Sequence, residues 1–367
     1  MHRAPARHVT VVLPLLFFVL LVAACANFNN PDGWAPPEVA EDTLYLSLDG
    51  GELSAVNPET FDIIWVFPAS QEEVCGNEEP EKRELKGIYA APVVSEGIVY
   101  IGAWDGVVYA LDAATGNCLW DFETNAPIIG GLVLTNGSLF AASTDGNLYA
   151  LDPATGSKIR NVHAGDVWSR PALADGVLYV ADVDGTLRAF DAETLNEIWE
   201  FSVSAGFLTD PVLLNGTIVV GGIGHTLYGI DATTGNEQWS FDGATNWFWG
   251  RLLADGDTVY ATSLDSRVFA IDATTGERLW QFDAIASIRG GVVLSGGVVI
   301  AVDDKGNVYG IDPESGNQVW NGPTEIDKKV LADPYVLANG SVIIVTTGGD
   351  TFTVSPEDGR LTTVDIR

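Results

Sequence analysis

Few residues of this 367-residue chain have a type and a setting that could do chemistry. There are three cysteines, Cys25, Cys75 and Cys118, and four histidines, at positions 2, 8, 163 and 225. A thiol can be alkylated, joined in a disulfide or bound to a metal. Cys25 ends an apolar run near the N-terminus and stands apart. Cys75 and Cys118 are then left for each other, and a pair of leftover cysteines in an exported chain reads as a disulfide. A metal or redox pair is the alternative, and no neighbouring histidine or further cysteine supports it. Carboxylates are abundant. Asp182-Val183-Asp184-Gly185 and Asp303-Asp304-Lys305-Gly306 look calcium-like on the surface, but neither continues with the ligand spacing of a calcium loop, so both read as turns. There is no nucleophile elbow, phosphate loop or histidine-rich cluster. No catalytic residue, metal or cofactor is implied, and an enzyme would have to work with aspartate and glutamate alone.

Charge and leader restrict the setting. Lys and Arg total 18 against 50 Asp and Glu, a net charge of -32. Such a surface repels nucleic acid and anionic membrane, since phosphate contacts need cations. Residues 1–24 read as a signal peptide. MHRAPARH is basic, and VTVVLPLLFFVLLVAA is apolar, short for a membrane span and interrupted by Pro14. Val22-Ala23-Ala24-Cys25 resembles the bacterial lipobox, with cleavage before Cys25 and a lipid on its thiol; the alternative is a secretory signal with an incidental cysteine. Residues 25–36 then form the lipidated end and a tether rich in Asn and Pro, and residues 37–367 the folded domain. This order implies an extracytoplasmic protein held to a bacterial membrane by lipid alone. The membrane is either the outer membrane, on its periplasmic face, or the cytoplasmic membrane, on its outer face.

The elements come from a repeat. YALDAATGNCLW at Tyr109 recurs as YALDPATGSKIR at Tyr149, RAFDAETLNEIW at Arg188 and YGIDATTGNEQW at Tyr228. It returns as FAIDATTGERLW at Phe269 and YGIDPESGNQVW at Tyr309, with weaker copies at Ser54 and Phe352. The aspartate positions are Asn57, Asp112, Asp152, Asp191, Asp231, Asp272, Asp312 and Ser355, spaced by 55, 40, 39, 40, 41, 40 and 43. Upstream of each copy, apolar and polar residues alternate with period two between Gly-containing breaks, as in Ala91 to Phe122. Such breaks are hairpin turns, so each unit is four short antiparallel strands. Eight such units predict an all-β fold, an eight-bladed β-propeller, because an open sheet of 32 strands would leave too many edges. The outlier in length is the charged insert Gln71 to Gly87, which carries Cys75 between units one and two.

Aligning the units gives the channel. Counting back from the Pro92 position, the residue three before is Trp34, Tyr89, Ile129, Trp168, Leu208, Trp249, Arg289 and Leu331 in turn. The residue one before is Pro36, Ala91, Gly131, Arg170, Asp210, Arg251, Gly291 and Asp333. In a strand these two positions share a face. A chain poor in cations thus places Arg170, Arg251 and Arg289 beside Asp210 and Asp333, with aromatic rings at Trp34, Tyr89, Trp168 and Trp249. Trp104 and His225 fall on turns that open to the same side. This is a candidate binding mouth, with stacking area above orienting charges. The competing reading is structural: Arg and Asp of neighbouring blades pair and seal a narrow channel.

The repeat Ala110-Leu111-Asp112-Ala113-Ala114-Thr115-Gly116-Asn117-Cys118-Leu119-Trp120 resembles the tryptophan-docking motif of the quinoprotein-type, PQQ-like propellers, from about Pro37 to Ile366. The resemblance implies that Trp65, Trp120, Trp199, Trp239, Trp280 and Trp320 stack on the turn glycine of the neighbouring blade. Arg160 and Thr363 replace the Trp in blades three and eight, and Phe61 and Leu195 replace the glycine in blades one and four. Quinone-dependent dehydrogenases of this family are longer and usually carry a vicinal cysteine pair, which is missing here. The lipid-anchored, BamB-like branch is non-catalytic and serves outer-membrane β-barrel assembly. Similarity to that branch implies a monomeric scaffold binding protein partners in the cell envelope, at the mouth or by strand addition at a blade edge. A receptor for a small ligand such as a sugar is the alternative, and a PQQ-dependent dehydrogenase a further one.

Overall fold

The computed structural model describes residues 33–366 except 49–50, 69–74, 76–84, 86 and 136. The signal segment, Cys25 and most of the tether and insert therefore lie outside the described residues. Eight four-stranded antiparallel sheets are present, each made of four consecutive strands. The blades span 38–67, 93–123, 132–163, 172–202, 212–241, 253–283, 293–325 and 335–364. The ring therefore closes without exchanging a strand between its ends. Blade two shows the pattern: Val93–Ser95, Ile98–Gly102, Val107–Asp112 and Cys118–Glu123 pair in that order. Glu96 and Gly97 at its first turn have φ of 52° and 74°, the positive pair that a twisted two-residue hairpin requires.

The period-two expectation needs correction for the middle strands. Ile98–Gly102 and Val107–Asp112 are buried on both faces, because each blade is sandwiched between two others. In blade three, Leu139, Ala141 and Tyr149 pack toward blade two, while Phe140, Ala142 and Leu148 pack toward blade four. Alternation there selects which neighbour is touched. Only the outermost strands alternate with solvent, as Glu197–Ser202 does.

The motif holds the blades in register. Asp112 Oδ1 accepts the Ala114 and Thr115 amides at 3.1 and 2.8 Å and the Thr115 hydroxyl at 2.7 Å. The Thr115 bond holds the exposed Asp112 carboxyl below its ordinary range, and hydroxyl bonds do the same at Asp191, Asp231 and Asp312. The acidic runs that looked calcium-like are turns: Asp182 Oδ1 accepts the Asp184 and Thr186 amides, and Asp303 Oδ1 those of Lys305 and Asn307.

Each of the six tryptophans donates its Nε1–H to a carbonyl of the next blade, at 2.8–3.1 Å: Trp65 to Ala113, Trp120 to Pro153, Trp199 to Ala232, Trp239 to Ala273, Trp280 to Pro313 and Trp320 to Pro356. The rings lie on Gly116, Gly156, Gly235, Gly276, Gly316 and Gly359, where a Cβ would sit 2.5–2.8 Å from ring atoms. The two seams without a tryptophan are the two without the glycine. Leu195, facing the seam of Arg160, is 5% exposed and packs on Phe140 and Leu148 of blade three. Phe61, facing the seam of Thr363, packs on Leu337, Ile343 and Val345 of blade eight. There the turn residue supplies the apolar side chain, buried at Leu195 and partly buried at Phe61.

Cys118 starts the outer strand of blade two, and the structure joins it to Cys75, with Cα atoms 5.3 Å apart and a sequence separation of 43. Closing a loop of that length stabilises by about 2–4 kcal/mol in the chain-entropy account. We expect alkylation of the unfolded, non-reduced protein to leave Cys75 and Cys118 unlabelled by mass spectrometry. Labelling at both would remove the crosslink and its contribution.

Candidate functional site

The short first strands of the blades line the axial channel, and the loops that enter them carry the side chains singled out above. All eight residues at the position three before Pro92 and its equivalents surround one cup of about 130 Å³: Trp34, Tyr89, Ile129, Trp168, Leu208, Trp249, Arg289 and Leu331. Trp34 is fixed there by its amide and that of Ala35, both donating to Ile88 O at 3.0 Å, so the end of the expected tether belongs to the mouth. Tyr89 meets Trp34 edge-on at 4.5 Å and Trp104 at 5.4 Å. Across the ring the Arg289 guanidinium lies 5.7 Å from the Trp249 ring centre, a cation–π distance. Trp247 stacks with Trp249 at 6.3 Å. Trp247 sits two residues from Trp249 in the same loop, off the repeated strand positions, and does not itself line the cup. Trp168 Nε1 donates to Asp166 at 3.0 Å. His225 occupies a positive-φ turn in blade five and does not line the cup.

Arg170, Asp210, Arg251 and Asp333 line the cup and also a second, wider cavity of about 1060 Å³ on the opposite side. They form the waist between the two. The wide funnel was not foreseen, because cavity width depends on strand tilt and turn shape. Two glycines at the waist position, Gly131 and Gly291, do not line the cup.

The waist is stitched to the blades. Asp210 Oδ1 accepts the Arg170 backbone N–H at 2.7 Å, from blade four to blade five. Asp333 Oδ1 accepts the Gly291 N–H in the same way between blades seven and eight. Arg170 Nε donates to Leu132 O of blade three at 3.0 Å. Arg251 is exposed to the lumen. Burial pushes the Asp210 carboxyl up to about 6, against the pull of the Arg170 amide and the Arg251 charge. Burial also raises Asp333 and Glu38, and it lowers Arg170. The aspartates at the waist thus hold backbone amides of the adjoining blades, and Arg170 holds a backbone carbonyl. At the mouth, the aromatic rings remain half-exposed.

Eight radial blades, tryptophans docked on turn glycines and an axial channel define a propeller of the quinoprotein-type, PQQ-like repeat class. The family model described as outer membrane protein assembly factor BamB matches residues 26–163, 161–262 and 243–367, and the chain belongs to that family. It is 37% identical over 91 residues to outer membrane protein assembly factor BamB of Yersinia pestis, covering 25% of this chain and 22% of that one. It is 32% identical over 107 residues to a quinohemoprotein alcohol dehydrogenase of Comamonas testosteroni, covering 28% of this chain and 14% of that one. The matched stretches thus span less than a quarter of either relative. BamB of Moraxella catarrhalis has the same fold, with TM-score 0.69 and 19% identity over 86% of this chain and 92% of that chain. Quinohemoprotein alcohol dehydrogenase ADHIIG of Pseudomonas putida superposes with TM-score 0.67 and 14% identity, over 87% of this chain and 69% of the other.

Proposed function

We propose that this protein is a non-catalytic, lipid-anchored scaffold on the extracytoplasmic side of the membrane, binding protein components of outer-membrane protein assembly. The observation that carries the reading is the family match, which runs from residue 26 to 367. The mouth supplies a partner surface of the right composition, with half-exposed Trp34, Tyr89, Trp168 and Trp249 beside Arg289, because Trp, Tyr and Arg dominate binding hot spots. The lipid comes from Cys25.

The test is crosslinking in the native membrane followed by mass spectrometry. Barrel-assembly components should be recovered with the wild-type chain, and Cys25→Ser should shift the protein into the soluble fraction. Recovery of no assembly component, or membrane retention of Cys25→Ser, would overturn the corresponding part. Adding the quinone and calcium to the pure protein should give no dye reduction; turnover there would return the dehydrogenase reading.

A further inference from the structure

We propose that the channel waist, entered from the wide funnel, is a binding site for a neutral, polyhydroxylated ligand of the saccharide class. The site is independent of the partner-binding reading and faces the other end of the channel from the aromatic mouth.

Size separates the two cavities. Ligand pockets run from about 300 to 1,000 Å³, and a void of about 150 Å³ accepts one small ring. The cup of about 130 Å³ admits a single side chain at most, whereas the funnel of about 1060 Å³ has room for several sugar rings. The aromatic end is thus the wrong end for a saccharide.

The floor has matching chemistry. Around the ring, Arg170, Asp210, Arg251 and Asp333 come from blades four, five, six and eight, so donors and acceptors interleave. Arg251 presents an exposed guanidinium with five N–H donors. Asp210 Oδ1 is committed to the Arg170 amide, which leaves Oδ2 as an acceptor, while Asp333 takes backbone hydrogen bonds from both Gly291 and Arg251. A hydroxyl both donates and accepts, so a vicinal diol can bridge a guanidinium and a carboxylate together. The charges of the floor also balance: Arg170 and Arg251 stand against Asp210 and Asp333. An ionic ligand would leave one enclosed charge uncompensated, whereas a neutral ligand preserves the balance. On the wall, the partly exposed Tyr335 offers ring surface for sugar C–H groups, and its hydroxyl is already bonded to Val39 O.

Titration calorimetry and protein NMR with maltotriose as the neutral probe test the site, with glucosamine and glucuronate as charged controls. Maltotriose should bind saturably and more tightly than either control. Arg251→Gln and Asp210→Asn should each weaken it roughly tenfold or more, the loss expected for one charge-assisted hydrogen bond. Trp249→Ala should leave it unchanged. Thermal melts establish that the variants are folded; Asn keeps the acceptor for the Arg170 amide. No saturable binding at about 10 mM overturns the proposal. So does equal binding of the charged sugars, or sensitivity to Trp249→Ala without sensitivity to Arg251→Gln. None of these outcomes bears on which proteins crosslink in the membrane.

Discussion

Gly276→Ala is expected to destabilise the propeller by about 2–5 kcal/mol, read as a lowered midpoint of urea unfolding followed by tryptophan fluorescence. Two costs combine. Gly276 has φ of 74°, and an L-residue in that left-handed region costs roughly 1–2 kcal/mol. The new Cβ would lie 2.7 Å from the Trp239 ring, which is 7% exposed and bonded to Ala273 O at 2.9 Å. The ring must move out of its seam or the turn must open, an overpacking cost of about 1–3 kcal/mol. The comparison that isolates the ring is Leu195→Gly. Leu195 has the same backbone, with φ of 57°, but faces Arg160 instead of a tryptophan. Glycine relieves the backbone there by about 1 kcal/mol and removes a buried side chain worth about 2–5. Glycine is thus required at one seam and harmful at the other. A midpoint for Gly276→Ala within about 1 kcal/mol of wild type would show that the docked ring is not rigid.

That comparison also shows what the sequence contains and hides. The eight blades were legible because each repeats the same turn chemistry every ~40 residues, and the aspartate, glycine and tryptophan sit at fixed offsets. Phe61, Leu195, Arg160 and Thr363 look like four separate losses of the motif in sequence. In space they are two exchanges, Leu195 for the partner of Arg160 and Phe61 for that of Thr363, each filling a seam from the opposite side. The signal is present in sequence, but it appears only when the end of one repeat is read against the turn of the next. The ring of eight mouth residues was legible for the same reason, since one strand position repeated eight times must converge on the axis. Three features were not legible. The width of the funnel follows from strand tilt. The bonds from Asp210 to Arg170 and from Asp333 to Gly291 join residues 40 and 42 apart through backbone, which no side-chain pattern encodes. The two-sided burial of the middle strands follows from the neighbours, which local periodicity does not see.

Asp210 gives the second large effect, and its sign depends on which substitution is made. Asp210→Ala removes the acceptor for the Arg170 amide and unbalances the waist, so a loss of about 3–5 kcal/mol is expected at neutral pH. Asp210→Asn retains the acceptor oxygen and should be close to wild type or more stable there. The reason is linkage. The folded pKa of about 6 lies above the ordinary carboxyl value of 3.8, so the native state holds the proton more tightly than the unfolded chain. The contribution of this group is fully present below about pH 4 and is lost as pH rises through about 6. The difference is at most about 3 kcal/mol, and less where lumen water solvates the carboxylate. The turn aspartates act oppositely and in another window: their lowered values make stability fall only as pH drops below the ordinary carboxyl range. Urea midpoints measured from pH 4 to 7 should therefore decline in wild type relative to Asp210→Asn, and the two curves should run parallel above pH 7. Parallel curves across the whole range would mean that Asp210 ionises as an ordinary exposed carboxyl, and that the waist is wet enough to hold its charges without the blades around it.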